Sequence, residues 1–348
     1  MKHTHLHTRL LALLLCCALV LPLSACGEAK GTTQQIFAMD TVMDLTAYGK
    51  KADDGISAAI SIINSMDKLL DPENERSKTY EINHAMGSPV VVNEQIAKML
   101  RTALTVSERT NGAFDLTTYP LSKLWGFIDQ NYRVPSDAEI ERLLPCVDMR
   151  KVQLSTTDDS ANSLVTMPAD MALSFGAVAK GCASEYAIQA MRAAGVTSGV
   201  VSLGGNVQTL GKKPDGSDWN IAIQDPNDTG SYLGYLTVGE TAVITSGSYQ
   251  RYFTEGGQKY HHILSPTTGR PVNNGLLAVT IVCEDGTLAD CLSTAMFVLG
   301  PQAALNYWRT YGGFEMLLVK ADGHVVLTNG LYGQFTPNGD SYVVDYAS

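Results

Sequence analysis

From residue 198 onward the chain is a succession of short strand-like runs, most of them closed by glycine or proline. They are residues 198–205 (SGVVSLGG), 219–226 (WNIAIQDP), 235–247 (YLTVGETAVITSG), 251–264 (RYFTEGGQKYHHIL) and 276–286 (LLAVTIVCEDG). One helix interrupts them, from about Leu288, and strand-like sequence resumes over 306–330. Before this region the pattern is mostly helical, with helices expected over 55–70, 93–112, 136–145 and 176–195. Ser136 and Glu139 form a capping box for the third, and Gly112 and Gly195 close the second and fourth. A strand around 36–49 and a hairpin over 151–167 flank them, and 114–127 is an aromatic-rich connection. Helices and strands are mixed without the regular alternation of a doubly wound sheet. The expected class is therefore α+β, with mixed, mostly antiparallel sheets and packed helices in a single catalytic unit.

The charge balance narrows the function. A formal net charge of −10 with no basic run argues against nucleic acid, because phosphate neutralisation needs clustered Lys and Arg. Residues 1–25 read as an export signal: Lys2 and Arg9 precede a short apolar stretch, and Leu23, Ser24, Ala25 and Cys26 resemble a bacterial lipobox. Ordinary signal-peptidase cleavage competes with this, but a cysteine directly after the cut favours lipidation at Cys26. Residues 26–34 follow as a polar tether, leaving 35–348 as the catalytic domain. Of the remaining cysteines, Cys146, Cys182, Cys283 and Cys291, none forms a C-x-x-C pair, so neither zinc nor thioredoxin-type redox chemistry is indicated.

Four segments carry candidate chemistry. In LADCLSTAM, Asp290 and Thr294 are four residues apart and share a helix face. The structural alternative is that Thr287 and Asp290 cap the helix start while Thr294 faces the core. SFGAVAKG, residues 174–181, enters a helix whose free amides favour an anion, with Lys180 adding charge; Gly176 and Gly181 could equally serve only a tight turn. SLGGN, residues 202–206, brings backbone close to a ligand or forms a β-bulge. Strand alternation places His261 and His262 on opposite faces, so at most one looks into a given pocket.

In order, MDTVM, NGAFDLTTYPLSKLWGF, GAVAKG, SLGGN, ITSGSYQRYF, HHILSPTTGRP and ADCLSTAM resemble the motifs of the bacterial ApbE flavin transferases, across residues 35 to 330. The resemblance implies an ApbE-like, T-fold-related fold. It also implies magnesium-dependent transfer of the FMN moiety of FAD to a Ser or Thr hydroxyl of an acceptor protein, releasing AMP. By motif matching, Asp290, Thr294 and the Ala179 carbonyl would hold magnesium. Met39, Tyr80, Ala113, Phe114, Asp115, Gly176, Lys180, Cys182 and Ile263 would contact FAD, and His262 would act as general base, with an orienting role toward the diphosphate as its rival. Three positions depart from the family pattern: Ser174 replaces an Asp, Cys182 a common Tyr, and Asp40 a frequent Gly. Hydrolysis of FAD to FMN and AMP, or non-enzymatic flavin binding by a lipoprotein, are the alternative functions. The resemblance further places the protein on the extracytoplasmic side of the cell membrane by its lipid anchor, beside membrane-associated or exported redox subunits.

Overall fold

The computed structural model describes residues 31–156 and 162–347. The expected export signal and lipidation at Cys26 fall on residues outside the described ones. Strand β1 (Gly31–Ala38) runs antiparallel to β2 (Thr41–Tyr48) in unbroken register. The run 36–49 is thus a hairpin and not one strand, and residues 31–34 belong to β1 and not to a tether. The turn is Met39–Asp40, with φ of 49° and 58°. Two left-handed residues make the tight turn whose twist matches paired strands, a place where Asn and Gly are favoured. A frequent Gly at position 40 fits this backbone; Asp tolerates it better than most L residues.

Helix α1 (Ala52–Leu70) follows, then α2 (Lys78–Asn83), β3 (Val90–Val92) and α3 (Glu94–Arg109). Asn93 caps α3 through Ile96 N–H, and the helix ends three residues before Gly112. Then come α4 (Tyr119–Leu124), α5 (Asp137–Leu143), β4 (Gln153–Thr156) and β5 (Ser163–Thr166). The expected capping box is present: Ser136 N–H donates to the Glu139 carboxylate at 2.9 Å. Helix α6 (Ala179–Ala193) starts three residues later than periodicity indicated, because 175–178 form a turn that feeds it.

The strand-rich part comprises β6 (Gly199–Leu203), β7 (Asn206–Leu210), β8 (Trp219–Gln224), β9 (Tyr232–Val238), β10 (Ala242–Gly247), β11 (Tyr252–Glu255), β12 (Gln258–His261) and β13 (Leu276–Cys283). Helices α7 (Gly286–Leu299) and α8 (Pro301–Tyr311) come next, then β14 (Glu315–Lys320), β15 (His324–Thr328), β16 (Phe335–Pro337) and β17 (Val343–Ala347). The sequence reading missed α8; Gly300 and Pro301 break the helical run and restart it.

Nine strands form one sheet in the order β1-β2-β6-β7-β10-β13-β14-β15-β17, antiparallel except for β15 with β17. Period-two alternation sends successive side chains of one strand into two different cores. In β14, Met316 and Leu318 enter a core shared with the helices, while Leu317 and Val319 enter another against the small sheet β16-β9-β8. That explains why the central strands are apolar throughout. The aromatic connection builds a third cluster, in which Trp125 and Phe127 pack with Leu264 and with Phe253 and Tyr260 of the β11–β12 hairpin. Trp125 Nε1–H donates to Gly269 O at 2.8 Å, which ties this cluster to the turn SPTTGRP. The four cysteines named above are unbridged.

Candidate active site

Two helix starts meet at the site. Asp285 caps α7 by accepting from Leu288 N–H at 2.9 Å, so neither Thr287 nor Asp290 performs the cap. Thr287 Oγ1–H instead donates to Glu185 of α6 at 2.8 Å, and Lys98 of α3 bridges Glu185 and Asp285. Three helices are thereby locked around the α7 start. One turn on, Asp290 is only 4% exposed. Its Oδ2 accepts from Gly181 N–H in the first turn of α6 at 2.8 Å, and its Oδ1 from Asn206 Nδ2 of β7 at 3.0 Å.

Gly181 is required by this crossing and not by a turn. A Cβ there would lie 2.1 Å from Gly286 O and 2.5 Å from Asp290 Cβ. Gly286 is the reciprocal contact, since its Cβ would lie 2.7 Å from Gly181 O and 2.5 Å from Gln208 Oε1. Neither glycine has a left-handed backbone; both are there because two helix backbones approach closely.

Thr294 lies one turn beyond Asp290, as the i,i+4 spacing demands. Its hydroxyl is 3.2 Å from Ser246 Oγ, at the end of β10, and Ser246 Oγ is 2.8 Å from Ser293 Oγ. A buried carboxylate and a part-exposed hydroxyl thus occupy one helix face beside the α6 start, where Ala179 is the first helical residue. Among the described residues no group of three or more His, Cys, Asp or Glu is placed to hold a metal. The donor set suits a hard cation that takes one carboxylate and completes its shell with water and phosphate oxygens. It does not suit zinc, which wants nitrogen or sulfur ligands.

Two hairpin turns and a third loop adjoin one another next to Asn206. Gly204 and Gly205, at φ of 60° and 91°, form a two-residue turn joining β6 to β7, so SLGGN is a tight hairpin and not a bulge. A Cβ on Gly204 would lie 2.5 Å from Thr41 Oγ1, which seats this turn against the Met39–Asp40 turn. Asp40 pairs with Arg251 at 3.3 Å, and Arg251 O accepts from His262 N–H at 3.0 Å.

The two histidines divide their tasks. His261 is buried, with Nε2 donating to Val272 O at 2.8 Å and Nδ1 accepting from Ile263 N–H at 3.3 Å. Both nitrogens are spent on structure. His262 places Nδ1 3.2 Å from Arg251 O. A carbonyl only accepts, so Nδ1 carries the proton and Nε2 keeps its lone pair. Desolvation, reinforced by the charges of Arg251, His261 and Lys180, pushes the His262 pKa down to about 3. The imidazole is neutral at physiological pH.

The remaining expected FAD contacts are distributed unevenly. Met39 N–H donates to Asp67 at 2.8 Å from the strained turn. Gly176 is exposed, its N–H held by Ser174 Oγ at 3.2 Å, and Lys180 is half-buried. Tyr80 stacks on His84 with ring centroids 3.7 Å apart. It borders an open groove of about 480 Å³ with Arg76 and Ser77, and Asn83 of the same helix bonds both N–H and C=O of Leu173, ahead of the 174–181 segment. Ala113 is half-buried, while Phe114 and Ile263 are buried in the core.

Two of these side chains are engaged within the protein. Asp115 accepts from Thr117 N–H at 2.7 Å and Met149 N–H at 2.8 Å, so its carboxylate ties two loops together, and burial raises its pKa. Cys182 is fully buried in the helical core, its thiol pushed up to about 12 by desolvation, because its position on α6 faces the interior and not the rim. The sequence reading also missed Asn206, Ser246 and the pairs Lys98–Glu185 and Asp40–Arg251. Asn206 and Ser246 fall inside quoted motifs, but only folding shows that they reach Asp290 and Thr294.

The family profile described as "ApbE family" matches residues 39–318. The chain belongs to the ApbE family. A protein of Klebsiella pneumoniae named FAD:protein FMN transferase is 31% identical over 290 residues, spanning 83% of this chain and 89% of its own length. One of the same name from Treponema pallidum is 30% identical over 307 residues, 84% of this chain and 85% of its own. The solved ApbE protein of Thermotoga maritima superposes with a TM-score of 0.81 at 30% identity, covering 88% of this chain and 100% of that one. The Pseudomonas stutzeri flavinyl transferase ApbE gives a TM-score of 0.76 at 28% identity, covering 89% and 98%. Family membership accounts for the order of the motifs, and the α+β fold with mostly antiparallel sheets is common to these ApbE structures.

Proposed function

We infer that this protein is a FAD:protein FMN transferase that joins the FMN moiety of FAD to a Ser or Thr hydroxyl of an acceptor protein. The observation that carries the reading is the buried Asp290 carboxylate held at the α6 start by Gly181 N–H, with the Thr294 hydroxyl one turn further along the same helix face. Asp290, Thr294 and the Ala179 carbonyl would hold magnesium, which would polarise the phosphoryl oxygens and offset charge on the leaving group. Lys180 and the α6 start favour the diphosphate of FAD. His262 Nε2 takes the proton of the acceptor hydroxyl as its oxygen bonds to the FMN phosphorus. The bond from that phosphorus to the bridging oxygen breaks, and the electron pair departs with AMP.

The export signal and Cys26 support a lipid anchor on the extracytoplasmic side of the membrane, where redox subunits of membrane complexes and exported flavoproteins would be within reach. Mass spectrometry of a candidate acceptor, incubated with the mature protein, FAD and magnesium, tests the reading: a gain of one FMN with equimolar AMP is expected. AMP without acceptor labelling would instead make the protein a pyrophosphatase, and neither product would reduce it to a flavin-binding lipoprotein.

His262→Gln is expected to lower turnover by a factor of about 10² to 10⁴, the usual contribution of a positioned base. The pH dependence has a defined sign. The base is lost as pH falls through the His262 pKa, which in the free enzyme lies near 3. The kcat/KM profile for FAD should therefore show no acidic limb near 6.5, since it reports free-enzyme ionisations. A limb at that pH which vanishes in His262→Gln would keep His262 as the base but overturn its lowered pKa, whereas turnover unchanged in His262→Gln would remove His262 from this role.

A further inference from the structure

We propose that Asn206 is a positioning residue for the cation: its side-chain amide fixes the rotamer and the free lone pairs of the Asp290 carboxylate. The proposal rests on the cation reading of Asp290 given above and extends it to a residue outside the motif-matched ligand set. Three observations carry it. Asn206 is only 2% exposed and begins β7 directly after the Gly204–Gly205 turn, so strand pairing and burial fix its own orientation. Its Nδ2 lies 3.0 Å from Asp290 Oδ1. A carboxylate only accepts, so the amide must present its NH2 group there, and the flipped amide would set oxygen against oxygen.

The second oxygen is fixed independently, by Gly181 N–H at 2.8 Å. Each oxygen thus spends one acceptor site on a donor from a different element, one on α6 and one on β7, and keeps the rest. A carboxylate held at both ends cannot rotate about its terminal torsion, which is otherwise broad. Asn206 performs this as a neutral group. It adds no charge to a site that takes a single carboxylate, and so leaves room for the phosphate oxygens of the substrate to complete the shell. The device is the outer partner that orients a metal-binding side chain, here supplied by an amide.

The test is direct titration of the mature protein with Mn2+, followed by electron paramagnetic resonance, with FAD binding and thermal unfolding measured in parallel. Wild type should bind Mn2+ and Asp290→Ala should not; if wild type binds none, the cation reading itself fails, separately from this proposal. Asn206→Ala is expected to weaken Mn2+ binding by about 10- to 100-fold, as loss of an orienting partner does, while FAD binding in metal-free buffer stays as in wild type. A folded Asn206→Ala that binds Mn2+ as tightly as wild type overturns the proposal. Asn206→Asp keeps the volume but replaces the donor with a second carboxylate, so it covers the case in which the alanine variant does not fold. Like charges in contact destabilise the metal-free protein and are relieved by a divalent ion. Its melting temperature should accordingly rise more on adding Mn2+ than that of wild type, and an equal or smaller rise overturns the proposal.

Discussion

Asp290→Ala is expected to abolish magnesium-dependent flavin transfer while leaving a folded protein. Loss of the one carboxylate among the proposed ligands removes about 4 kcal/mol of transition-state stabilisation or more, on the order of 10³ in rate. The fold survives because the α7 cap belongs to Asp285, whose carboxylate receives Leu288 N–H. Stability nonetheless drops, since Gly181 N–H and Asn206 Nδ2 lose their acceptor inside the protein. Each buried donor left unpaired costs about 1–3 kcal/mol. A rate assay at saturating FAD with a thermal melt separates the two effects. Turnover within tenfold of wild type would remove Asp290 from the reaction. Complete unfolding would show that its role is to join α6 to β7 and not to hold an ion.

Gly181→Ala is expected to be strongly damaging for a change of one methyl group. The new Cβ would sit 2.1 Å from the Gly286 carbonyl oxygen, and that neighbour is backbone within a capped helix and cannot rotate away. Separating α6 from α7 breaks the bond from Gly181 N–H to Asp290 and also disturbs the contact of Thr287 with Glu185. Overpacking alone costs about 1–3 kcal/mol, and the lost buried hydrogen bond adds to it, so the melting temperature and the cation affinity should fall together. Gly230→Ala, away from the site, is the control. That position is exposed with an ordinary backbone, and its Cβ would meet only Asp228 Oδ1 at 3.4 Å. If Gly181→Ala melts and turns over like wild type, the close helix crossing does not exist.

The legible and illegible parts of this site differ for a physical reason. The pairing of Asp290 with Thr294 is a local property, because residues four apart in a helix share a face whatever surrounds them. The split of His261 from His262 follows the same local expectation, although β12 itself ends at His261. Both expectations held. The capping alternative for Thr287 and Asp290 failed by two residues, because Asp285 precedes Thr287 and reaches the α7 start first. The burial of Cys182 has a rotational reason: it follows Lys180 by two places on α6, and on a helix that spacing turns a side chain from rim to core. Residues 31–49 were misjudged because Met39 and Asp40 take the left-handed turn without a glycine to announce it.

By itself the sequence determined the α+β class, the helix face shared by Asp290 and Thr294 and the separation of His261 from His262, while the order of its motifs resembled the ApbE family. The first three follow from periodicity and spacing, which act over a few residues. Only the tertiary structure decided that Gly181 serves a helix crossing, that Asn206 reaches Asp290 across 84 positions, and that Arg251 joins the Asp40 turn to His262. Those contacts depend on how far apart two backbones settle once the nine-stranded sheet has formed, and no local pattern encodes a distance between segments that meet only after folding.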